Sequence, residues 1–155
     1  MRLIAPLTAG EIPVVVAAAR SLLTANDGKR VPFKHRGRSV RGVDCIGLIA
    51  YAFASVGREI RDRKDYGRDP VRDGLRGELI AHLGEPIPKS DMRPGDVLLM
   101  RWHRQGTTDL FNHVALVTDY PLGGLAIIHS YAIAGTVVEH RFAEPWVRRT
   151  VEVYR

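Results

Sequence analysis

The chain has 155 residues, of which 45% are hydrophobic and 26% charged, with one cysteine and a formal net charge of +6. That length fits one domain (1–155) with enough core to fold without metal or disulfide staples. One cysteine excludes an internal disulfide, and no apolar run approaches the ~20 residues of a bilayer-spanning helix, so no membrane insertion is expected.

In chain order, residues 12–23 have the pattern of a helix, with Pro13 near its start, where a missing N–H does no harm. Glu11 and Pro13 precede the apolar stretch 14–19 and no clear cleavage site follows, so no signal peptide is expected and the chain would be made in the cytoplasm. Residues 24–42 lack a period and carry Asn-Asp-Gly and Pro, which predicts a loop. Within it, residues 28–42 hold six basic side chains (Lys29, Arg30, Lys34, Arg36, Arg38, Arg41) and no acidic one, while outside that stretch the two signs balance at 17 each. A basic flap suits an anionic substrate or surface, or plain solvation. Phe33 is its only aromatic, too few stacking rings for a nucleic-acid module, so no nucleic acid is expected.

Residues 44–57 predict a second helix. Asp44 is its N-cap, Cys45 opens it, Ile46, Ile49, Ala50, Phe53 and Gly57 share a face, and Gly57 ends it. A thiol in a first helical turn meets unpaired N–H groups and the positive end of the helix dipole, which favour the nucleophilic thiolate. A free cysteine is equally a small buried apolar residue, so both readings of Cys45 stand at this point. The mixed charges of 58–73 predict an exposed connection, and 71–83 a helix ending at Gly84. From Met92 the period becomes strand-like: a turn at 93–96, then strands at 97–100, 113–118, 125–131, 137–142 and 147–154, joined as an antiparallel meander. Helices first and strands second predict an α+β fold with the sheet packed on the cysteine helix.

Two histidines open or lie within apolar strands. If the strands 113–118 and 125–131 pair, His113 and His129 share a face, with His129 beside Ile127 and Tyr131. They are either core histidines bonded to backbone or the base and orienting group that a cysteine nucleophile needs. His35, His82, His103 and His140 are read as surface or turn residues. No metal is expected, because the histidines lack His-x-His or His-Glu-x-x-His spacing and Cys-x-x-Cys is absent; no cofactor is expected either.

Three ordered motifs carry a resemblance. Asp44-Cys45-Ile46-Gly47-Leu48-Ile49, His113-Val114-Ala115-Leu116-Val117 preceded by Arg93-Pro94-Gly95-Asp96-Val97, and Ile128-His129-Ser130 resemble the NlpC-type, papain-like cell-wall cysteine peptidases. Val31-Pro32-Phe33-Lys34-His35-Arg36-Gly37 resembles the approach to the nucleophile in that family's phage tail-associated branch. Phe33 and Ile46 depart from the Tyr and Ser of many members, and loss of the Tyr hydroxyl bears on peptide preference and rate.

The resemblance implies a papain-like fold in which Cys45 attacks a peptide carbonyl, His113 holds the thiol proton as imidazolium and His129 orients His113. Phe33, Asp44 and Ser130 would lie at the substrate, and the Cys45 N–H would serve the oxyanion. It also implies peptidoglycan stem peptides as substrate, and a phage or prophage tail-associated hydrolase acting in the host envelope with tail-tip proteins as partners. Alternatives are a structural tail assembly protein of the same fold with little or no activity, and an acyl-transfer enzyme using the same Cys–His machinery.

Overall fold

The computed structural model describes residues 2–61, 74–102 and 110–155. Residues 62–73 of the charged connection expected over 58–73, with them the first turn of the 71–83 helix, and His103 lie outside the described residues. The chain order is α1 (Glu11–Ser21), β1 (Arg38–Ser39), β2 (Gly42–Val43), α2 (Cys45–Ala54), α3 (Leu75–Leu83), a 3-10 turn (Lys89–Asp91), β3 (Val97–Trp102), β4 (Leu110–Asp119), β5 (Leu125–Tyr131), β6 (Thr136–Arg141), α4 (Trp146–Arg149) and β7 (Thr150–Tyr154). This is the α+β arrangement expected. No helix among the described residues is long and apolar enough to cross a membrane.

The helix α1 starts with a capping box that the sequence reading passed over: Thr8 N–H donates to Glu11 Oε1 at 3.0 Å and Glu11 N–H to Thr8 Oγ1 at 3.2 Å. Two corrections apply to α2. It ends at Ala54, with Gly57 in the following turn at φ 72°, and its buried side is Cys45, Leu48, Ile49, Ala52 and Phe53, while Ile46 and Ala50 are only half-buried. The apolar run is nearly continuous, so periodicity alone could not orient it.

A five-stranded antiparallel sheet runs β6–β5–β4–β3–β7. Strands β3 to β6 form the expected meander, but β7 returns to the far edge and pairs with β3 (Val97↔Tyr154, Leu98↔Val153). The strand expected from 147 begins only at Thr150, because Trp146–Arg149 forms the short helix α4, tied to β7 by Thr150 Oγ1 donating to Trp146 O at 3.0 Å. Period-two alternation divides the sheet into two buried faces. Val97, Leu99, Val114, Leu116 and Ile128 join the core that contains α2, and Leu98, Met100, Ala115, Val117 and Ile127 form the second cluster, against which Trp146 packs.

The segment between α1 and α2 is not a free flap. Val31 N–H donates to Leu22 O, Val137 N–H to Val31 O and Phe33 N–H to Gly135 O, all within 2.9–3.0 Å. Its end folds into the β1–β2 hairpin, with Arg38 opposite Val43. That hairpin lies on the first turn of α2 so closely that a Cβ on Gly47 would sit 2.1 Å from Gly37 O. A glycine two residues after Cys45 is therefore a packing requirement, since any side chain there would push the hairpin away.

Candidate active site

Asp44 caps α2 and is saturated by the protein. Its Oδ1 accepts from Gly47 N–H at 2.8 Å and from the Arg38 guanidinium at 3.0 Å, and its Oδ2 accepts from Arg36 N–H at 2.9 Å. Ser130 is fully buried and donates its hydroxyl to Val43 O at 2.6 Å. Both side chains, expected at the substrate, are turned into the protein: one caps and clamps the hairpin, the other ties β5 to the strand before Cys45. Phe33 is half-buried, and its backbone bridges Val43. Of the six basic residues near the nucleophile, Arg38 is spent on Asp44, while Lys29, Arg30, Lys34, Arg36 and Arg41 are exposed.

Cys45 reaches the sheet where two strands part. The β4–β5 register runs from Asp119↔Leu125 back to Leu116↔Ile128. Val117 N–H donates toward β3, to Asp96 O at 2.9 Å, so by strand alternation the Val114 N–H points toward β5. Beyond the paired region that amide acts on the Cys45 thiol and favours its ionised form. The thiol thus occupies the opening between β4 and β5, against the backbone of the residue that follows His113. The opening also relates a helix on one face of the sheet to histidines on the other, since His113 and His129 share the parity of Ala115, Val117 and Ile127.

The imidazoles form a chain longer than the sequence suggested. His113 Nε2 lies 2.6 Å from His129 Nδ1, His129 Nε2 lies 2.9 Å from His140 Nε2, and His140 Nδ1 lies 3.0 Å from Arg141 O. His129 is enclosed by rings: Tyr131 stacks on it at 5.5 Å between centroids, and Trp146 meets it edge-on at 4.8 Å. His140 is therefore a member of the cluster rather than a lone surface residue. Its position opposite Ile127 across the β5–β6 ladder was the available signal, once those strands are paired in register. His82 is also buried, its ring bonded to Glu78 O at 2.8 Å and accepting from Arg61 N–H at 3.0 Å.

Burial works against the expected thiolate. Burial first, and then the Asp44 charge, push the Cys45 thiol up to about 12, against the opposing pull of the Val114, Ile46 and Cys45 amides. Burial, with the nearby Arg149 charge, pushes His113 down to about 3. Burial and the neighbouring His113 and His140 hold His129 well below the usual imidazole range. The Cys45 and His113 shifts both favour thiol and neutral imidazole over a thiolate–imidazolium pair. Among the described residues no group of three or more His, Cys, Asp or Glu side chains is placed to hold a metal ion.

A cysteine opening a helix that packs on an antiparallel sheet, with a histidine inside the facing strand β4, is the papain-like arrangement. The chain belongs to the NlpC/P60 family, whose sequence profile matches residues 30–155. It is 30% identical over 89 residues to a probable endopeptidase of Mycobacterium tuberculosis, a match covering 57% of this chain and 18% of that protein. It is 23% identical over 129 residues to the murein DD-endopeptidase MepS/murein LD-carboxypeptidase of Escherichia coli, covering 83% of this chain and 57% of that one. The chain thus spans between a fifth and three fifths, roughly, of these relatives' lengths.

Solved structures share the fold. The peptidoglycan hydrolase RipB of Mycobacterium tuberculosis superposes with a TM-score of 0.59 at 21% identity, covering 94% of this chain and 64% of that one. The NlpC/p60 domain of the peptidoglycan hydrolase SagA gives 0.58 at 22%, covering 93% and 97%. NlpC1 of Trichomonas vaginalis gives 0.67 at 16%, covering 100% and 47%.

Proposed function

We propose that this chain is a cysteine peptidase that hydrolyses peptidoglycan stem peptides through Cys45, His113 and His129. The observation that carries the reading is the Cys45 thiol acted on by the amide of Val114, the residue after a His113 whose Nε2 lies 2.6 Å from His129 Nδ1. Burial favours the neutral thiol and imidazole, so the proton moves from sulfur to His113 as the sulfur attacks the peptide carbonyl, and the Cys45 N–H stabilises the oxyanion. His113 then returns the proton to the leaving amine, and water hydrolyses the thioester to free the new carboxylate and the thiol. The exposed Lys29, Arg30, Lys34, Arg36 and Arg41 suit an anionic cell-wall polymer.

Incubating the chain with purified peptidoglycan and with defined stem peptides, followed by mass spectrometry of the products, tests this. New amine and carboxyl termini that Cys45→Ala does not generate support it; intact peptides after prolonged incubation with the wild type count against it. A second reading, a structural component of the same fold with little activity, is favoured by the burial that works against a Cys45 thiolate, and the same experiment separates the two. We place either form in a phage or prophage tail, with tail-tip proteins as partners and the host envelope as its site of action, on the form of the Val31–Gly37 approach. Mass spectrometry of purified tails checks that placement.

A further inference from the structure

The three-histidine chain ends on an atom that can only accept. Arg141 O lies 3.0 Å from His140 Nδ1, so a neutral His140 carries its proton on Nδ1 and leaves Nε2 bare. The bare Nε2 then accepts from His129 Nε2–H across 2.9 Å, which leaves His129 Nδ1 bare to accept from His113 Nε2–H across 2.6 Å. One proton per ring, read from the carbonyl inward, leaves Nδ1 of His113 as its unprotonated nitrogen.

We propose that His140 is a positioning residue that sets the tautomer of the catalytic base: through Arg141 O it orders the whole chain so that His113 keeps a lone pair on Nδ1 for the Cys45 proton. This rests on the function proposed above and extends it by a residue outside the Cys-His-His set. A proton added to His140 places N–H groups on both its nitrogens. His129 must then accept at Nε2 and donate from Nδ1, His113 must accept at Nε2, and its Nδ1 becomes protonated. Protonation at one end of the chain thus removes the base at the other.

The groups facing His140 are few. His129 meets it from β5 and the Trp146 ring from α4, at 5.0 Å between centroids. Arg149, also on α4, lies with its guanidinium 5.3 Å from the Trp146 ring centre and bears on His113. On β6 itself, Glu139 is turned to the opposite face, where it pairs with Arg20 at 3.0 Å and accepts from Thr118.

Three variants and one spectrum test this. His140→Phe keeps a ring but no acceptor, so kcat on a stem peptide should fall about tenfold or more with KM unchanged. His140→Gln places an amide oxygen where Nε2 stood and should restore kcat to within about threefold. His140→Lys, which puts a donor where Nε2 accepts, should lose kcat at least as severely as His140→Phe.

Long-range ¹H–¹⁵N spectra of labelled imidazoles at neutral pH should show His113 protonated on Nε2 and bare on Nδ1. A His113 protonated on Nδ1, or a His140→Phe enzyme with unchanged kcat, overturns the proposal. If the wild type cleaves no stem peptide, the hydrolase reading fails instead, and the spectrum still decides the tautomer.

Discussion

Ser130 donates its hydroxyl to Val43 O over 2.6 Å, joining β5 to the strand that ends just before Asp44 and Cys45. Val43 O also accepts from Lys34 N–H at 3.1 Å, so this buried carbonyl is held from two sides. Ser130→Ala removes one of them, at a cost of about 1 kcal/mol in folding stability. The greater effect should fall on the nucleophile, whose position depends on this tie. In denaturant titrations and steady-state kinetics the variant should remain folded and lose kcat severalfold at constant KM; unchanged kcat would show that the tie serves folding alone.

The contact between Gly47 and the β1–β2 hairpin leaves no space for a methyl group, which would lie 2.1 Å from Gly37 O. Gly47→Ala should cost about 1–3 kcal/mol through overpacking. It should also displace the hairpin from the first turn of α2, lowering activity together with the thermal midpoint. Gly77 has no atom within 4 Å of an added Cβ, so Gly77→Ala is the matched control and should leave both unchanged or raise the midpoint.

Asp44 acts on the thiol and on the hairpin in opposite senses. Its charge helps keep the Cys45 proton on sulfur, while its carboxylate holds Arg38 and two backbone amides. Asp44→Asn retains an acceptor for Gly47 N–H but removes the charge. Alkylation by iodoacetamide should therefore titrate at lower pH, while stability falls by about 3 kcal/mol because the largely buried Arg38 loses its counter-ion. Both shifts are read from one sample series, and an alkylation curve unmoved from wild type would remove Asp44 from the control of thiol acidity.

Stability should depend on pH at both ends of a plateau. The folded His113 lies at about 3 against an ordinary 6.5, with His129 depressed in the same sense, so below about 6.5 the unfolded chain binds more protons than the folded one. Stability is then fully present above that value and is lost as pH falls from there toward 3. Cys45 is raised to about 12 from 9.0, so above 9 the unfolded chain releases a proton that the folded one retains, and stability falls again. Thermal midpoints should be level between about 7 and 9 and drop on either side; a midpoint level down to pH 4 would contradict neutral burial of the histidines.

The parts of the fold legible in the sequence are those with local causes. Asp44 followed by an apolar run marks a capped helix, alternation marks β3 to β6, and Pro94-Gly95 marks the turn that delivers Asp96 to its buried bonds with Arg93 N–H and Arg155. The shared face of His113 and His129 follows from strand parity. Long-range features were not legible. Val147 to Tyr154 alternates as a strand should, yet α4 takes its first residues, because Trp146 finds partners in His129 and Tyr131 from another part of the chain. The return of β7 to β3 and the place of His140 at the end of the imidazole chain both depend on pairings that no local pattern encodes. The burial that works against a Cys45 thiolate was not legible for the same reason: a helix N-terminus is visible in sequence, whereas the packing around the thiol is not.

The most direct measurement is rapid-quench mass spectrometry of the intact chain during turnover of a defined stem peptide. The expected result is a transient adduct with the mass of the acyl half of the peptide, mapped to Cys45, absent in Cys45→Ala and strongly reduced in His113→Ala. Peptide cleavage that persists in Cys45→Ala, or a wild-type chain that neither cleaves the peptide nor carries an adduct, would contradict the assignment of Cys45 as the nucleophile.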